Sequence, residues 1–161
     1  MQKNGFFLFV LAASFLSSCG PEKLVDTSQV LKSGVWAYAD SLRFEATVED
    51  TSRLYDISLW VRHDKSYAYQ NLYLRILTYF PDGKTLSQPL SLDLAEKTGA
   101  WSGKCIGKSC TLEVPIQQNA FFNTRGKYTF VIEQYMRQDS LPGIRAVGLR
   151  IYNTGPRPEG R

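Results

Sequence analysis

The chain of 161 residues contains little of the chemistry from which active sites and metal sites are usually built. It has a single histidine, His63, and three cysteines. Structural zinc needs four His or Cys ligands, and no second pair joins Cys105 and Cys110 to complete such a set. No serine lies in a G-x-S-x-G elbow that would give His63 a nucleophilic partner, so we expect His63 to lie exposed at a strand end. The sequence gives no catalytic residue and no metal ligands.

Blocks of like charge are also missing. Nineteen Lys and Arg residues against fifteen Asp and Glu give a net charge of +4, and both signs are spread along the chain. This gives little support to nucleic-acid binding. Calcium loops of the D-x-D-x-D-G type and glycine-rich phosphate loops are absent. We expect no enzymatic activity, no cofactor and no small-molecule substrate. Two carboxylates meeting from distant strands, as in glycosidases, are the one enzymatic arrangement left open.

No hydrophobic run reaches transmembrane length. The longest, FFLFVLAASFL at residues 6–16, is too short to cross a hydrocarbon core of about 30 Å as a helix. It follows the positive charge of Lys3 and has the length of the apolar region of a secretory signal. Residues 1–18 are therefore predicted to be a signal peptide, and the rest of the chain is predicted to be exported.

The apolar run ends in Leu16-Ser17-Ser18-Cys19, which resembles the lipobox of bacterial lipoproteins. In such signals the cysteine sulfur receives a diacylglyceryl group, and the amino group freed by cleavage is acylated, commonly with palmitate. Each buried methylene contributes about 0.8 kcal/mol, so two or three chains anchor a protein stably. We predict that Cys19 is the lipid attachment site. The alternative is a signal cleaved elsewhere, with Cys19 as an ordinary buried thiol.

The two other cysteines form an even pair in the stretch GKCIGKSC. If Cys19 is lipidated, Cys105 and Cys110 are the two cysteines that remain to form a pair. A disulfide is the preferred interpretation, and free thiols are the alternative. Closing so small a loop would stabilise the fold by about 2 kcal/mol.

Aromatic residues and alternating patterns are what the chain has in quantity. Nine Tyr, nine Phe and three Trp favour β structure, where flat rings pack on pleated surfaces. Apolar patterns predict strands at 42–50, 54–64, 69–80, 85–92, 110–118, 127–136 and 144–152. About eight short strands joined by turns are typical of an all-β antiparallel β-sandwich, jelly-roll or Ig-like. Helical structure is expected only as short turns near 93–97 and 118–126.

Turn residues predict how neighbouring strands connect. Asp50-Thr51-Ser52 is expected to join 42–50 and 54–64 as a hairpin. PDGK at 81–84 is expected to do the same for the next two strands. Pro89 cannot donate to a ladder, so its strand is expected at a sheet edge. The segment 127–136 is apolar on both faces and is expected to be central.

The predicted organisation has four parts. The signal covers residues 1–18. Residues 19–34 form the lipidated N-terminus and a tether, in which Leu24 and Val25 allow an edge strand. The β-sandwich covers 35–152. The tail 153–161 has two prolines and two glycines and is expected to be disordered.

The strand faces opposite the core stripe carry aromatic rings and arginines. The predicted partner surface consists of Trp60, Arg62, Tyr73, Arg75 and Tyr79, and Tyr135, Arg137, Arg150 and Tyr152 add to the pattern. Trp, Tyr and Arg are enriched in the binding hot spots of protein interfaces. The other interpretation is that some of these rings pack under the second sheet or a loop. An alternative function is a glycan-binding module in which Trp60 or Trp101 stacks on a sugar.

The chain is similar to the gliding-motility lipoprotein GldH family of the Bacteroidota over about residues 36–152. The similarity rests on Trp36 with DSLRFEATVED, on YDISLWVRHDKSYAYQNLYL, FPDGK and LAEKTGAWSGK, and above all on GKYTFVIEQYMRQDSLPGIRAVGLRI. None of these is a catalytic motif, so Cys19 is the only functional residue that carries over.

The resemblance implies an outer-membrane lipoprotein of the cell envelope, needed with its partners for gliding, in a system tied to type IX secretion. An assembly role in the envelope is the more general expectation, because similar proteins occur in non-gliding relatives. The expected partners are the membrane, through the lipid, and other gliding or envelope proteins. Surface-displayed lipoproteins of this phylum tend to carry a run of acids just after the cysteine. The segment after Cys19 offers only the acid Glu22, so the resemblance implies the periplasmic face of the outer membrane.

Overall fold

Eleven β-strands make up the regular secondary structure of residues 22–158, the part of the chain that the computed structural model describes. The strands are β1 (Lys23–Val30), β2 (Val35–Ala37), β3 (Ser41–Val48), β4 (Arg53–Asp64), β5 (Asn71–Tyr79), β6 (Thr85–Asp93), β7 (Lys104–Ile106), β8 (Ser109–Ala120), β9 (Gly126–Gln134), β10 (Ser140–Pro142) and β11 (Ile144–Pro156). Within that range there is no helix, and so none that could cross a membrane.

The strands form two main antiparallel sheets. One has the order β1-β11-β4-β8-β7 and the other the order β3-β9-β5-β6, while β10 and β2 form a separate ribbon. The core lies between the inner faces of the two sheets. Leu59 and Val61 of the first sheet, and Leu74 and Ile132 of the second, are fully buried there. The all-β sandwich predicted from the sequence is confirmed.

Period-two alternation explains which side chains enter this core. In β3 every second residue is buried and the intervening residues are exposed. In β4 the buried series begins at Tyr55 and continues through Val61 to His63, while the side chains between them face outward. Each strand therefore contributes one apolar stripe to the core and one polar stripe to an outer face.

Three local predictions about pairing are confirmed. β5 and β6 form a hairpin through residues 81–84, in which the Phe80 N–H donates to the carbonyl of Lys84 at 2.9 Å and Gly83 takes φ +84°. β6, which contains Pro89, pairs only with β5 and is an edge strand. β9 lies between β3 and β5, in keeping with its two apolar faces.

The predicted hairpin between 42–50 and 54–64 is wrong. β3 pairs with β9 in one sheet, and β4 pairs with β8 and β11 in the other. The turn itself exists: the Ser52 hydroxyl and N–H donate to the Asp50 carboxylate at 2.6 and 2.9 Å, and these bonds lower the pKa of Asp50 to about 2. The turn carries the chain from one sheet to the other, so that both alternating strands face the core from opposite sides.

The predicted boundaries of the domain also need correction. The segment 19–34, predicted to be a tether that allows an edge strand at Leu24 and Val25, contributes that edge strand: β1 pairs only with β11, along its whole length. The tail assigned to 153–161 is shorter, because β11 continues to Pro156. The helical turn predicted over 118–126 is wrong, since β8 continues to Ala120 and β9 begins at Gly126. The predicted signal peptide and the predicted lipid site, Cys19, lie outside the described residues.

Candidate functional site

The five residues of the predicted partner surface do not lie together. Trp60 and Arg62 are on the outer face of the five-stranded sheet, whereas Tyr73, Arg75 and Tyr79 are on the outer face of the four-stranded sheet. Because the two sheets pack through their inner faces, these outer faces point away from each other. The chain therefore has two separate candidate surfaces.

The more aromatic of the two is a group of exposed tyrosines, Tyr38, Tyr73 and Tyr135, which we call the tyrosine face. These side chains are 51%, 47% and 50% exposed. The Tyr135 N–H donates to the carbonyl of Tyr73 at 2.8 Å, which places the two residues side by side. Tyr38 and Tyr135 border a common hollow. Three rings that stay exposed in one region are unusual, because large apolar surfaces are normally covered.

Arg75 lies at the centre of this region and is held in place by charge. Its Nε and a terminal guanidinium nitrogen both donate to Oε2 of Glu133, at 2.8 and 2.6 Å. This bond raises the pKa of Arg75. The guanidinium also lies 5.2 Å from the centre of the Tyr135 ring, within cation–π distance. The result is an ordered Arg beside an exposed ring, a combination typical of protein-binding hot spots.

The sequence pattern did not identify every member of the tyrosine face, nor does every predicted residue belong to it. Tyr38 follows the three-residue strand β2, whose pairing with β10 places it near β9 and β5. No alternating pattern marks so short a strand. Tyr79 shares a strand face with Tyr73, but six residues separate them, which is about 20 Å along a strand. Tyr79 is outside the group.

On the opposite side of the molecule Trp60 lies beside a network of ion pairs, and its own indole Nε1 is buried without a hydrogen-bond partner in residues 22–158. Its ring lies over Gly148, where an added Cβ would overlap it. Arg150 stands 5.8 Å from the ring centre and pairs with Asp26, at 3.0 Å, and with Glu113. Hydrogen bonds from Lys23 and Arg150 lower the pKa of Asp26. Trp60 is half-buried in this network, whereas Arg62 is exposed beside it.

The expectation that His63 is exposed is wrong. Its side chain is fully buried, and its ring centre lies 4.7 Å from that of Trp101. The reason is the length of β4, which continues to Asp64 and keeps His63 on the inward series. Nδ1 lies 3.0 Å from the carbonyl oxygen of Asp64, which only accepts, so the neutral ring carries its proton on Nδ1. Burial lowers the pKa of His63.

Trp101, the other ring considered for sugar stacking, is half-buried and packs against the same cluster. Its backbone bridges to Ala95, and its ring packs against His63 and the core. Tyr67 lies next to them, with its ring centre 6.1 Å from that of His63, and burial raises its pKa. Trp101 thus contributes to packing under the loops at this end of the sandwich.

Cys105 and Cys110 face each other across the hairpin of β7 and β8. They are paired in register with Cα atoms 3.9 Å apart, and the structure joins them in a disulfide. Cys110 is buried, while β7 is exposed along its three residues. Within residues 22–158 no group of three His, Cys, Asp or Glu side chains is close enough to share a metal ion.

The sequence of the chain is similar to those of gliding-motility lipoproteins. The chain is 30% identical over 152 residues to "Gliding motility lipoprotein GldH homolog" of Christiangramia forsetii, covering 90% of this chain and 93% of the relative. It is 26% identical to "Gliding motility lipoprotein GldH" of Flavobacterium johnsoniae, covering 89% and 93%. A solved structure of an infectious bursal disease virus strain covers 95% of this chain and 47% of its own, but its TM-score of 0.16 is too low to indicate a common fold. The profile of the GldH lipoprotein family matches residues 23–151, and the chain therefore belongs to that family of gliding-motility lipoproteins.

Proposed function

We propose that this protein is a non-enzymatic accessory lipoprotein that is anchored to the periplasmic face of the outer membrane through Cys19. There it holds a protein partner needed for gliding, in a role tied to type IX secretion or envelope assembly. The observation that carries the proposal is the tyrosine face in a member of this family: three half-exposed tyrosines around an ordered Arg75. On binding a partner, such rings bury a large contact area at little cost in side-chain entropy.

The location of the charged groups supports a binding role over catalysis. The carboxylates nearest to the two outer faces, Glu133 and Glu113, each pair with an arginine. The one histidine is buried beneath Trp101. These carboxylates and the histidine therefore take part in ion pairs and packing, whereas an enzyme usually brings such groups together in a cleft.

The proposal is tested by photo-crosslinking in living cells. A photoreactive amino acid is placed at position 73 of the full-length lipoprotein and, as a matched control, at position 79, which lies on the same strand face with similar exposure. We expect a discrete crosslinked protein from position 73 only, identified by mass spectrometry as an envelope, secretion or gliding protein. Equal labelling from both positions, or recovery of unrelated proteins alone, would contradict the proposal.

Substitutions then connect the contact with function. The double variant Tyr73→Ala/Tyr135→Ala should lose the crosslinked partner and reduce gliding, while Tyr79→Ala should leave both unchanged. Protein levels in the membrane fraction serve as the control for folding. If instead the purified lipoprotein is retained on an envelope polysaccharide and Trp60→Ala abolishes that retention, the glycan-binding alternative is correct.

A further inference from the structure

The outer face of the five-stranded sheet changes character along its strands. Because the strands are in register, outward side chains form rows that cross the whole sheet. The last row that spans all five strands consists of Val30, Ala146, Arg62, Thr111 and Lys104. The two rows nearer to Lys23 contain Trp60 and the Arg150 network, in which cations and carboxylates neutralise each other.

Arg62 and Thr111, in the middle of this row, form the floor of an open groove of about 600 Å³. One wall is the end of β1 with Val30, Leu31 and Lys32, and the other wall is β7 with Lys104 and Ile106. Val30 is 62% and Ile106 is 70% exposed, more than the other large apolar side chains in the described residues. The groove crosses five strands, a distance of about 19 Å, which is the length of about six residues in extended conformation.

The groove is strongly cationic. Six basic side chains line it or the hollow next to it, Lys32, Arg62, Lys65, Lys104, Lys108 and Arg145. The one carboxylate that lines either space is Asp64, which is bound by Arg145 at 2.8 Å. Five positive charges are therefore uncompensated here, against a net charge of +4 for the entire chain. Arg62, in the floor, makes no ion pair with any residue in 22–158.

We propose that this groove binds an acidic, extended segment of a partner protein. Carboxylates of the segment pair with Arg62, Lys104 and Lys32, and the aliphatic side chains that alternate with them pack on Val30 and Ile106. The apolar walls favour a peptide over other polyanions, because polysaccharides and phosphate backbones carry no aliphatic side chains to cover them. Uncompensated charge of one sign in a concave surface also accelerates encounter with an oppositely charged partner.

The groove is distinct from the tyrosine face in place and in chemistry. It lies on the opposite sheet, and at the end of β1 away from Lys23, about 25 Å along that strand. Lys23 is the fourth residue after Cys19. If the lipid is at Cys19, as proposed above, the groove lies at the end of β1 remote from the anchor, where it is accessible to a second partner.

Binding is measured by fluorescence anisotropy with the full mature lipoprotein in detergent. The ligand is a labelled peptide of about eight residues that alternates Glu and Leu, long enough to cross the groove. We expect binding that weakens as salt is raised. Arg62→Glu/Lys104→Glu should weaken it about tenfold or more, the effect of losing two ion pairs and introducing repulsion.

A matched control keeps the charge change and moves its position. Arg43→Glu/Lys97→Glu alters two exposed cations outside the groove, on the other sheet and in the β6–β7 loop, and should leave affinity within about twofold. Val30→Ser/Ile106→Ser should lower the affinity for the Glu-Leu peptide. Polyglutamate, which lacks aliphatic side chains, should bind less tightly than that peptide, and its affinity should be the same for this variant and the unchanged protein. Equal loss in the control variant, or tighter binding of an acidic polysaccharide or of phosphatidylglycerol vesicles than of the peptide, would overturn the proposal. Neither result bears on the crosslink at Tyr73.

Discussion

His63 is the residue whose environment departs most from what its neighbours in the sequence suggest. It is the single histidine of the chain, it is fully buried, and its Nε2 has no hydrogen-bond partner in the described part of the chain. Burial disfavours the imidazolium and lowers the pKa of His63. The ring therefore serves the fold as a neutral aromatic side chain against Trp101.

A lowered histidine pKa predicts a loss of stability in mild acid. In the unfolded chain His63 takes up a proton near pH 6.5, whereas in the folded state it does so only at lower pH. Below about pH 6.5 the unfolded state thus binds more protons than the folded state. The free energy of unfolding therefore decreases as the pH is lowered, by at most about 1.4 kcal/mol per pH unit. Urea unfolding of the mature protein at a series of values between pH 7.5 and about pH 5 measures this slope.

The variant His63→Phe is the matched control, because it keeps a ring against Trp101 and removes the titration. Its free energy of unfolding should stay nearly constant over the same interval. The α-amino group of the mature lipoprotein is predicted to be acylated and therefore does not titrate. Hydrogen bonds from Arg145 lower the pKa of Asp64, so this carboxylate protonates well below the interval. An unchanged slope in His63→Phe would exclude His63 as its source.

For single residues, the sequence predicts which way a side chain points from its strand better than it predicts what surrounds that side chain. Alternation correctly places Trp60, Tyr73 and Arg75 on outer faces. It does not show which outer face each residue belongs to, because that depends on pairing between strands far apart in the chain. His63 was misplaced since its neighbours Arg62, Asp64 and Lys65 are polar, although period two counted from Tyr55 puts it inside.

Among the strands, β4 and β11 are linked by an unusually close contact. Gly148 on β11 lies opposite Trp60 on β4, and the indole occupies the space where a Cβ would stand. Its backbone is not in the left-handed region, so the requirement for glycine here is one of space and not of φ. The Trp60 ring can lie flat on the sheet only because residue 148 has no side chain.

Gly148→Ala should therefore destabilise the protein by about 1–3 kcal/mol, the usual cost of overpacking. The reason is steric, so the cost should largely disappear when the indole is removed. In a Trp60→Ala background the same substitution is expected to cost less than about 0.5 kcal/mol. Denaturant unfolding of the four proteins of this double-mutant cycle gives the coupling energy. A coupling near zero would show that the overlap with Trp60 is not the cause.

The short strand β7 depends on its connection to β8. β7 is an edge strand of three residues that pairs only with β8, and Cys105 lies directly across from Cys110 in the hairpin. Reduction should lower the free energy of unfolding by about 2 kcal/mol, the loop-closure value for so small a ring. Reduction should also release β7 and lower the affinity of the groove for the acidic peptide, because Lys104 and Ile106 form one wall of the groove.

Iodoacetamide labelling followed by mass spectrometry checks the state of these cysteines. In protein isolated from cells without reductant, both should be unlabelled, and both should label after reduction and unfolding. The double variant Cys105→Ala/Cys110→Ala serves as the control for effects of the reductant elsewhere in the chain. Labelling of Cys105 before reduction would show that the thiols are free in the cell.

Pairing between strands was predictable from the sequence only where a local turn determines it. PDGK fixes the β5–β6 hairpin through its own backbone geometry. The turn at Asp50 has equally good hydrogen bonds but leads across the core, because both flanking strands have an apolar stripe to bury. The pairing of β1 with β11 joins residues more than a hundred positions apart, and no turn signals it.

For the whole molecule the decisive feature is the short distance between the predicted anchor and the first paired strand. Residues 20–22 are all that separates Cys19 from β1, a span of about 10 Å when extended. An anchor there would hold the domain close to the membrane surface. β1 runs away from that point, and the cationic groove lies at its far end, at Val30.

Cys19→Ala tests this arrangement, because it removes the only predicted attachment of the chain to the membrane. We expect the variant to move from the membrane to the soluble fraction of the envelope, since losing two or three acyl chains removes far more binding energy than the exposed surface of the domain supplies. The domain itself begins at Lys23, so its thermal unfolding should be unchanged. Gliding should fall even though the protein is folded and exported, because the bound partner is no longer held at the membrane. Fractionation, circular dichroism and motility of the same strain measure these three effects. Retention of the variant in the membrane fraction would place the anchor elsewhere in the chain.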